Sequence, residues 1–229
     1  MGPGASRPPV LPRVALALML GAGCHRAPVL VERPARPQAS VVIRNVHVFD
    51  APRAALRDGV YDVLVRDGRI AAVAAADGAL AAPRVIDGRG GTLLPGLVDV
   101  HVHSGGSAAP LWYRELPVPE ENPRAFPYAG VTTVLDAGGL TPDTLALRER
   151  ARAGDTLGPH LYAAGPMFTT PGGHPVGFFR TVLPWWLAWY VIPRFTREVA
   201  TPDEARAAVA ALLPEHPDVV KITVDEIAG

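Results

Sequence analysis

From Ser40 onward, apolar and polar positions alternate with period two in short runs. SVVIRNVHVFD, YDVLVRDGRIAAVA and PRVIDGRGGTLLPG are rich in β-branched residues and punctuated by Asp-Gly and Gly-Gly turn signals. This texture predicts a small antiparallel sheet over 40–95. Past Gly96 the rhythm changes. LVDVHVH and GVTTVLDAGG read as strands, and Thr141-Pro142-Asp143 opens a helix with Thr141 as N-cap and Pro at the first helical position, stopping near Gly154. PHLYAAG is a third strand, Thr201-Pro202-Asp203-Glu204 is a capping box for a helix through Leu213, and DVVKITVD is a fourth strand. Strands alternating with helices predict a parallel sheet covered by helices, doubly wound or closed as a barrel.

Side-chain direction in these strands raises a chemical question. At period two, Leu97, Asp99, His101 and His103 share one face, and Val98, Val100 and Val102 share the other. The valine face is expected to meet helices, so the polar face points inward. DVVKITVD repeats the pattern, with Val220, Ile222 and Val224 on one side and Val219, Lys221, Thr223 and Asp225 on the other. Unpaired buried charge is costly, so something inside must compensate. A metal ion fits: histidines at i and i+2 lie roughly 6 to 7 Å apart and project together, so both imidazoles can converge on one ion. A His-x-His pair alone is also compatible with surface or satisfied histidines.

Composition narrows the class. With 229 residues and 48% hydrophobic content the chain has ample material for a core, in one large domain or two small ones. Its 22 basic and 22 acidic residues cancel without forming a basic stripe, which argues against a nucleic-acid partner. The N-terminus reads as a targeting segment. Arg7 and Arg13 precede the apolar run Val14 to Leu20, too short to span a bilayer, and Gly21-Ala22-Gly23-Cys24 follows. Cys24 is the single cysteine, so no disulfide forms within the chain. Residues 1–24 resemble a bacterial lipoprotein signal peptide, although Gly21 stands where leucine is usual. The resemblance implies lipidation at Cys24, export, and anchoring in the cell envelope on the periplasmic or outer surface, with plain secretion as the alternative. Residues 25–39 form a Pro- and Arg-rich tether.

PGLVDVHVH, preceded by DGRI and VIDGRGGTLLPG and followed in order by GVTTVLDAGG, GPHLYAAGPMFTTPGGHP and DVVKITVD, resembles the entry to the barrel of the amidohydrolase superfamily. The likeness is greatest to the branch of imidazolonepropionase-like and Xaa-Pro dipeptidase-like hydrolases, and it runs from Val41 to Asp225. It implies an α/β fold: the N-terminal half of a TIM-like (β/α)8 barrel, its first four β/α units within 96–229, after a small antiparallel β-sheet of composite β-sandwich type. It also implies that His101 and His103 ligate a divalent metal, zinc being the expected one. Lys221 matches the lysine that many members carbamylate to bridge two ions, an anion in place of an ammonium helping to balance their charge. Without that motif, Lys221 would read as a lysine snorkelling from a strand end. The implied reaction is hydrolysis of a carbon–nitrogen bond in a small amide or dipeptide, or a cyclic amide, by metal-activated hydroxide.

Other positions carry weaker expectations. Asp99 is expected to support a neighbouring ligand or a turn rather than bind metal itself. His174 lies on a Gly-rich loop, where it reaches substrate or solvent, while His47, His160 and His216 read as strand, turn and loop residues. Five prolines between Pro110 and Pro127 predict a stretch that is mostly loop. Trp185, Trp186, Trp189 and Tyr190 form an aromatic cluster with three readings: a lid over the site, buried packing, or a membrane-interface contact. After Lys221 come eight residues, ITVDEIAG, without a histidine. The family's later ligands and its catalytic aspartate therefore have no counterpart, and the chain reads as the N-terminal portion of a longer enzyme with no catalytic residue of its own. The alternative is a non-catalytic, membrane-tethered binding or scaffold protein built on half the fold.

Overall fold

A computed structural model of the chain describes residues 31–32, 40–105 and 122–224. The lipidation reading at Cys24, the 25–39 tether, most of the Pro-rich stretch and Asp225 lie outside the described residues.

The N-terminal sheet is organised on one long strand. β1 (Ser40–Asp50) pairs antiparallel with β2 (Ala55–Leu56) and β3 (Tyr61–Arg66), and β3 pairs antiparallel with β4 (Arg69–Ala75). The β3–β4 turn is Asp67-Gly68, with φ of 50° and 73°. Both central residues of a type I′ hairpin turn need positive φ, which is why Asp-Gly stands here. β5 (Arg84–Asp87) and β6 (Thr92–Leu93) instead run parallel to β1. The sheet is therefore mixed rather than antiparallel. Period-two alternation is the same in both ladder types, so strand direction was not readable from it.

Beyond Gly96 the strands are parallel. β7 (Leu97–Val102), β8 (Val131–Asp136) and β9 (His160–Ala163) form one sheet, in that order. β10 (Met167–Thr169), separated from β9 by the buried Ala164, Gly165 and Pro166, is flanked in parallel by β11 (Thr196–Glu198) and β12 (Lys221–Ile222). Among the described residues the α-helices are, in chain order, α1 (Ala125–Tyr128), α2 (Thr141–Arg152), α3 (Val176–Val182), α4 (Trp185–Phe195) and α5 (Pro202–Leu212). α2 covers the outer face of the first parallel sheet, where Leu147 packs with Val102, Val134 and Leu161.

Several expectations change in detail. The fourth strand shrinks to Lys221–Ile222, and Val219 and Val220 are exposed ahead of it. α2 begins at Thr141 with Leu140 as N-cap, because the Thr141 hydroxyl donates to the Arg194 carbonyl at 2.9 Å instead of capping its own helix. At α5 the capping box forms: Thr201 Oγ1 accepts the Glu204 N–H at 3.2 Å, and Glu204 Oε2 accepts the Ala200 N–H at 2.7 Å. Of the three valines expected to meet helices, only Val102 does. Val98 and Val100 are 63% and 68% exposed, since no described helix covers that part of β7.

Candidate metal centre

The C-terminal ends of β7 and β8 are tied together by one carboxylate. Asp136, the last residue of β8, is fully buried. Its Oδ2 accepts the Ser104 backbone N–H at 2.8 Å and the Ser104 hydroxyl at 2.5 Å, and its Oδ1 accepts the Gly138 N–H at 2.9 Å. The turn after β8 is thereby held against the turn after β7. Gly138 has φ +149°, and a Cβ there would fall 2.3 Å from Met167 Cε, so the Met167 side chain occupies the space that only glycine leaves open.

That turn in turn orients a histidine. The Gly138 carbonyl lies 2.7 Å from His103 Nδ1. A carbonyl can only accept, so Nδ1 donates, and in a neutral ring Nε2 is the nitrogen left to ligate metal. The His101 ring stands 5.6 Å from that of His103 between centroids, at 76°. Two imidazoles sharing a tetrahedral ion, each through a nitrogen at about 2.1 Å, have centroids about 5 Å apart. The spacing of the pair, and the hydrogen bond at His103 Nδ1, are those a common divalent ion would need. Among the described residues no group of three or more His, Cys, Asp or Glu side chains is gathered around one point.

Asp99 has a different position from the one alternation assigns. β7 pairs Asp99 with Val134 and Val102 with Asp136, advancing three residues while β8 advances two. Residues in register share a face, so this bulge moves Asp99 to the side of Val102, away from the histidines. Its Oδ1 accepts the His101 backbone N–H at 3.0 Å, a hydrogen bond that the sheet ladder does not supply at the bulge. The carboxylate thus braces the backbone from which His101 projects.

Lys221 opens β12, half-buried and in register with Met167, whose side chain packs on Gly138. It is linked to the histidine end of the sheet through Met167 and Gly138. His174 is exposed on the loop after β10. The Thr223 hydroxyl donates to the His174 carbonyl at 2.7 Å, and Gly172 N–H donates to Glu198 Oε2 at 2.6 Å, so the Gly-rich loop is fixed to the strands on both sides of β10. The His47 ring lies 3.0 Å from the Gly59 carbonyl in the N-terminal sheet, away from the paired histidines. Asp136 and Gly138 were quoted within a strand motif without a role. An acidic residue closing an apolar strand just before Gly-Gly was the available signal.

α4 reaches the same end of the molecule from outside. Phe195, its last residue, meets Phe179 edge-to-face at 5.1 Å between ring centroids and lies 6.3 Å from the His103 ring. Its aromatic face is turned outward, with Trp185 and Trp189 82% and 78% exposed, which removes the buried-packing reading of the cluster. An open cavity of about 890 Å³ lies between α4 and the β11–α5 segment, lined by Trp189, Pro193, Arg197 and Ala208, and none of the paired histidines reaches it.

No protein-family model matches the chain. An L-hydantoinase of Paenarthrobacter aurescens is 29% identical over 123 residues, which is 51% of this chain and 25% of that protein. A prolidase solved with N-methylphosphonate-L-proline superimposes with a TM-score of 0.56 at 26% identity, over 80% of this chain and 46% of the other. A solved amidohydrolase gives 0.55 at 27% identity, again over 80% of this chain and 46% of the other. The chain thus spans a quarter of the hydantoinase and under half of these solved chains. With the paired histidines at the end of the first parallel strand and these likenesses across most of the described residues, the chain is similar to proteins of the amidohydrolase superfamily.

Proposed function

We propose that this chain supplies the first-strand wall of a divalent-metal site for hydrolysis of a carbon–nitrogen bond in a small amide. The observation that carries the reading is the hydrogen bond from His103 Nδ1 to the Gly138 carbonyl, which leaves Nε2 as the ring nitrogen available to a metal beside the His101 ring. His101 and His103 would hold the ion, zinc in the first instance, and Lys221 would be a further ligand once carbon dioxide converts its amine to a carbamate. A bound divalent ion supplies hydroxide at neutral pH, lowering the pKa of its water from 15.7 to about 7, and polarises the scissile carbonyl. Asp136 and Gly138 fix the tautomer and aim of His103, Asp99 fixes the backbone of His101, and the His174 loop stands where it can meet substrate.

Two substrate chemistries are proposed by analogy with named relatives: a dipeptide with a prolyl nitrogen, as for the prolidase, or a cyclic amide, as for the hydantoinase. The prolidase-like reading is supported by a likeness that extends over 80% of the chain. Cellular placement follows from the leader: export, lipidation at Cys24, and a tethered domain at the membrane surface.

The test is equilibrium dialysis of the metal-free chain against Zn²⁺ or Co²⁺, with bound metal counted and the Co²⁺ visible spectrum recorded. Uptake is expected to fall by about tenfold or more in both His101→Ala and His103→Ala. Metal uptake that ignores both substitutions would overturn the reading. Xaa-Pro dipeptides and hydantoins, assayed with the loaded chain, then separate the two substrate classes. Incorporation of labelled palmitate, abolished by Cys24→Ala, checks the anchor.

A further inference from the structure

α3 and α4, joined through Leu183 and Pro184, share a small core of their own: Val176, Ala188 and Ile192, with Phe179 and Leu183 against them. The larger part of their apolar surface faces out. Trp185 is 82% exposed, Trp189 78%, Trp186 57% and Phe178 57%. Trp185 with Trp189, Trp186 with Tyr190, and Phe178 with Val182 are spaced by four residues, so each pair stands one above the other on its helix. Residues 176–195 contain Arg180 and Arg194 and no Asp or Glu. The Arg194 guanidinium lies 3.8 Å from the Tyr190 ring centroid, which keeps a cation at the border of the aromatic strip.

We propose that this face lies in the headgroup region of an anionic lipid bilayer, a non-covalent contact to the membrane distinct from any lipid at Cys24. The residue types fit that environment closely. Indole and phenol rings bury an apolar body while keeping one polar tip wet, and arginine stems cover apolar surface while the guanidinium stays among phosphates. A segment with two cations and no anion is attracted to such a surface and repelled from a basic one. At 11 residues α4 is about 16 Å long, too short to cross a bilayer, and no described helix is long and apolar enough to span one. It lies along the surface instead.

Proximity is supplied by the leader. The 15 residues of the 25–39 tether reach at most about 50 Å when extended, so a domain held at Cys24 stays near the bilayer. A tether alone leaves the domain free to turn. The contact through α4 removes that freedom, because α4 is fixed to the histidine end of the sheet by the Thr141–Arg194 hydrogen bond and by Phe195 beside His103. The strand ends that carry His101 and His103 then keep one orientation toward the lipid surface.

The test uses the full chain carrying Cys24→Ala and Trp112→Phe, so that lipidation is absent and the remaining three tryptophans all lie on α4. Vesicles containing phosphatidylglycerol with brominated acyl chains are expected to quench its fluorescence. Adding Trp185→Ser and Trp189→Ser is expected to lower vesicle partitioning by about tenfold or more, the apolar area of two indoles being lost. Circular dichroism of both proteins controls for folding, and the leader's own apolar run, present in both, cancels in the comparison. Unquenched tryptophans, or equal partitioning of the two proteins, would overturn the proposal. So would an emission shift that follows protein concentration without vesicles, which would place a second copy on this face. Because Cys24 is already substituted, failure here leaves the lipid-anchor reading to its own palmitate assay.

Discussion

At the scale of single residues, the site depends on Asp136 as well as on the ligand candidates. A carboxylate with no exposed surface accepts three hydrogen bonds from two turns, and one of those turns holds the tautomer of His103. Asparagine is nearly isosteric but presents an amide N–H₂ to the donors on one side. Asp136→Asn is therefore expected to cost about 2 to 4 kcal/mol of stability, because buried donors are left facing a donor. Urea unfolding measures that cost. A role confined to stability would leave metal affinity unchanged in the folded fraction. Positioning of His103 predicts that affinity for Co²⁺ also falls by about tenfold or more, as when a metal-bound histidine loses its orienting partner. Gly138→Ala is expected to destabilise the fold as well, from both positive φ and the Met167 overlap. Adding Met167→Ala should relieve only the overlap, so partial recovery in urea separates the two causes.

At the scale of elements, an ionic cluster joins α2 to the approach of β12. Arg148, buried on α2, donates to Asp218 at 3.0 Å and to the His216 carbonyl at 2.7 Å, and Arg152 donates to Asp218 at 2.6 Å. Asp218 also accepts the Ala163 N–H at 2.9 Å, which ties the cluster to β9. Burial alone would raise the Asp218 carboxyl, but the Ala163 N–H and the two guanidiniums outweigh it and hold the value below the ordinary one. A lowered folded value means that the carboxylate contributes stability above the unfolded value and loses it as pH falls through the folded one. Asp218→Asn is thus expected to be less stable than the parent at neutral pH, with the gap closing below about pH 4. Urea midpoints of both proteins across pH check this, and a gap independent of pH would remove the ionic explanation. Such links also mark where the sequence stops being readable. The Thr201 capping box was legible because its partner is three residues away. Thr141 was misplaced because its hydroxyl bonds a carbonyl 53 residues on. The β7 bulge was invisible because alternation assumes that no residue is inserted, and Asp99 changed face with it. His101 and His103 keep their mutual spacing all the same, their rings 5.6 Å apart between centroids.

At the scale of the whole molecule, the parallel sheet leaves one flank uncovered. β7 is the end strand of its sheet among the described residues, and Leu97, Val98 and Val100 are 52%, 63% and 68% exposed on it. An unpaired strand edge next to exposed β-branched residues is a template for pairing with another chain. The solved amidohydrolase and prolidase chains are more than twice as long as the part this chain matches. Self-association of this chain through β7 is accordingly expected. Sedimentation velocity should show mass rising with protein concentration, and Val98→Lys with Val100→Lys should shift the distribution toward monomer by placing two charges on the edge. The same pair of lysines should leave the vesicle contact of α4 intact, since Trp185 and Trp189 lie on that helix and not on β7. Loss of vesicle binding in the lysine variant would mean that the two faces act as one surface, and a mass distribution unchanged by the lysines would show that β7 is not where chains meet.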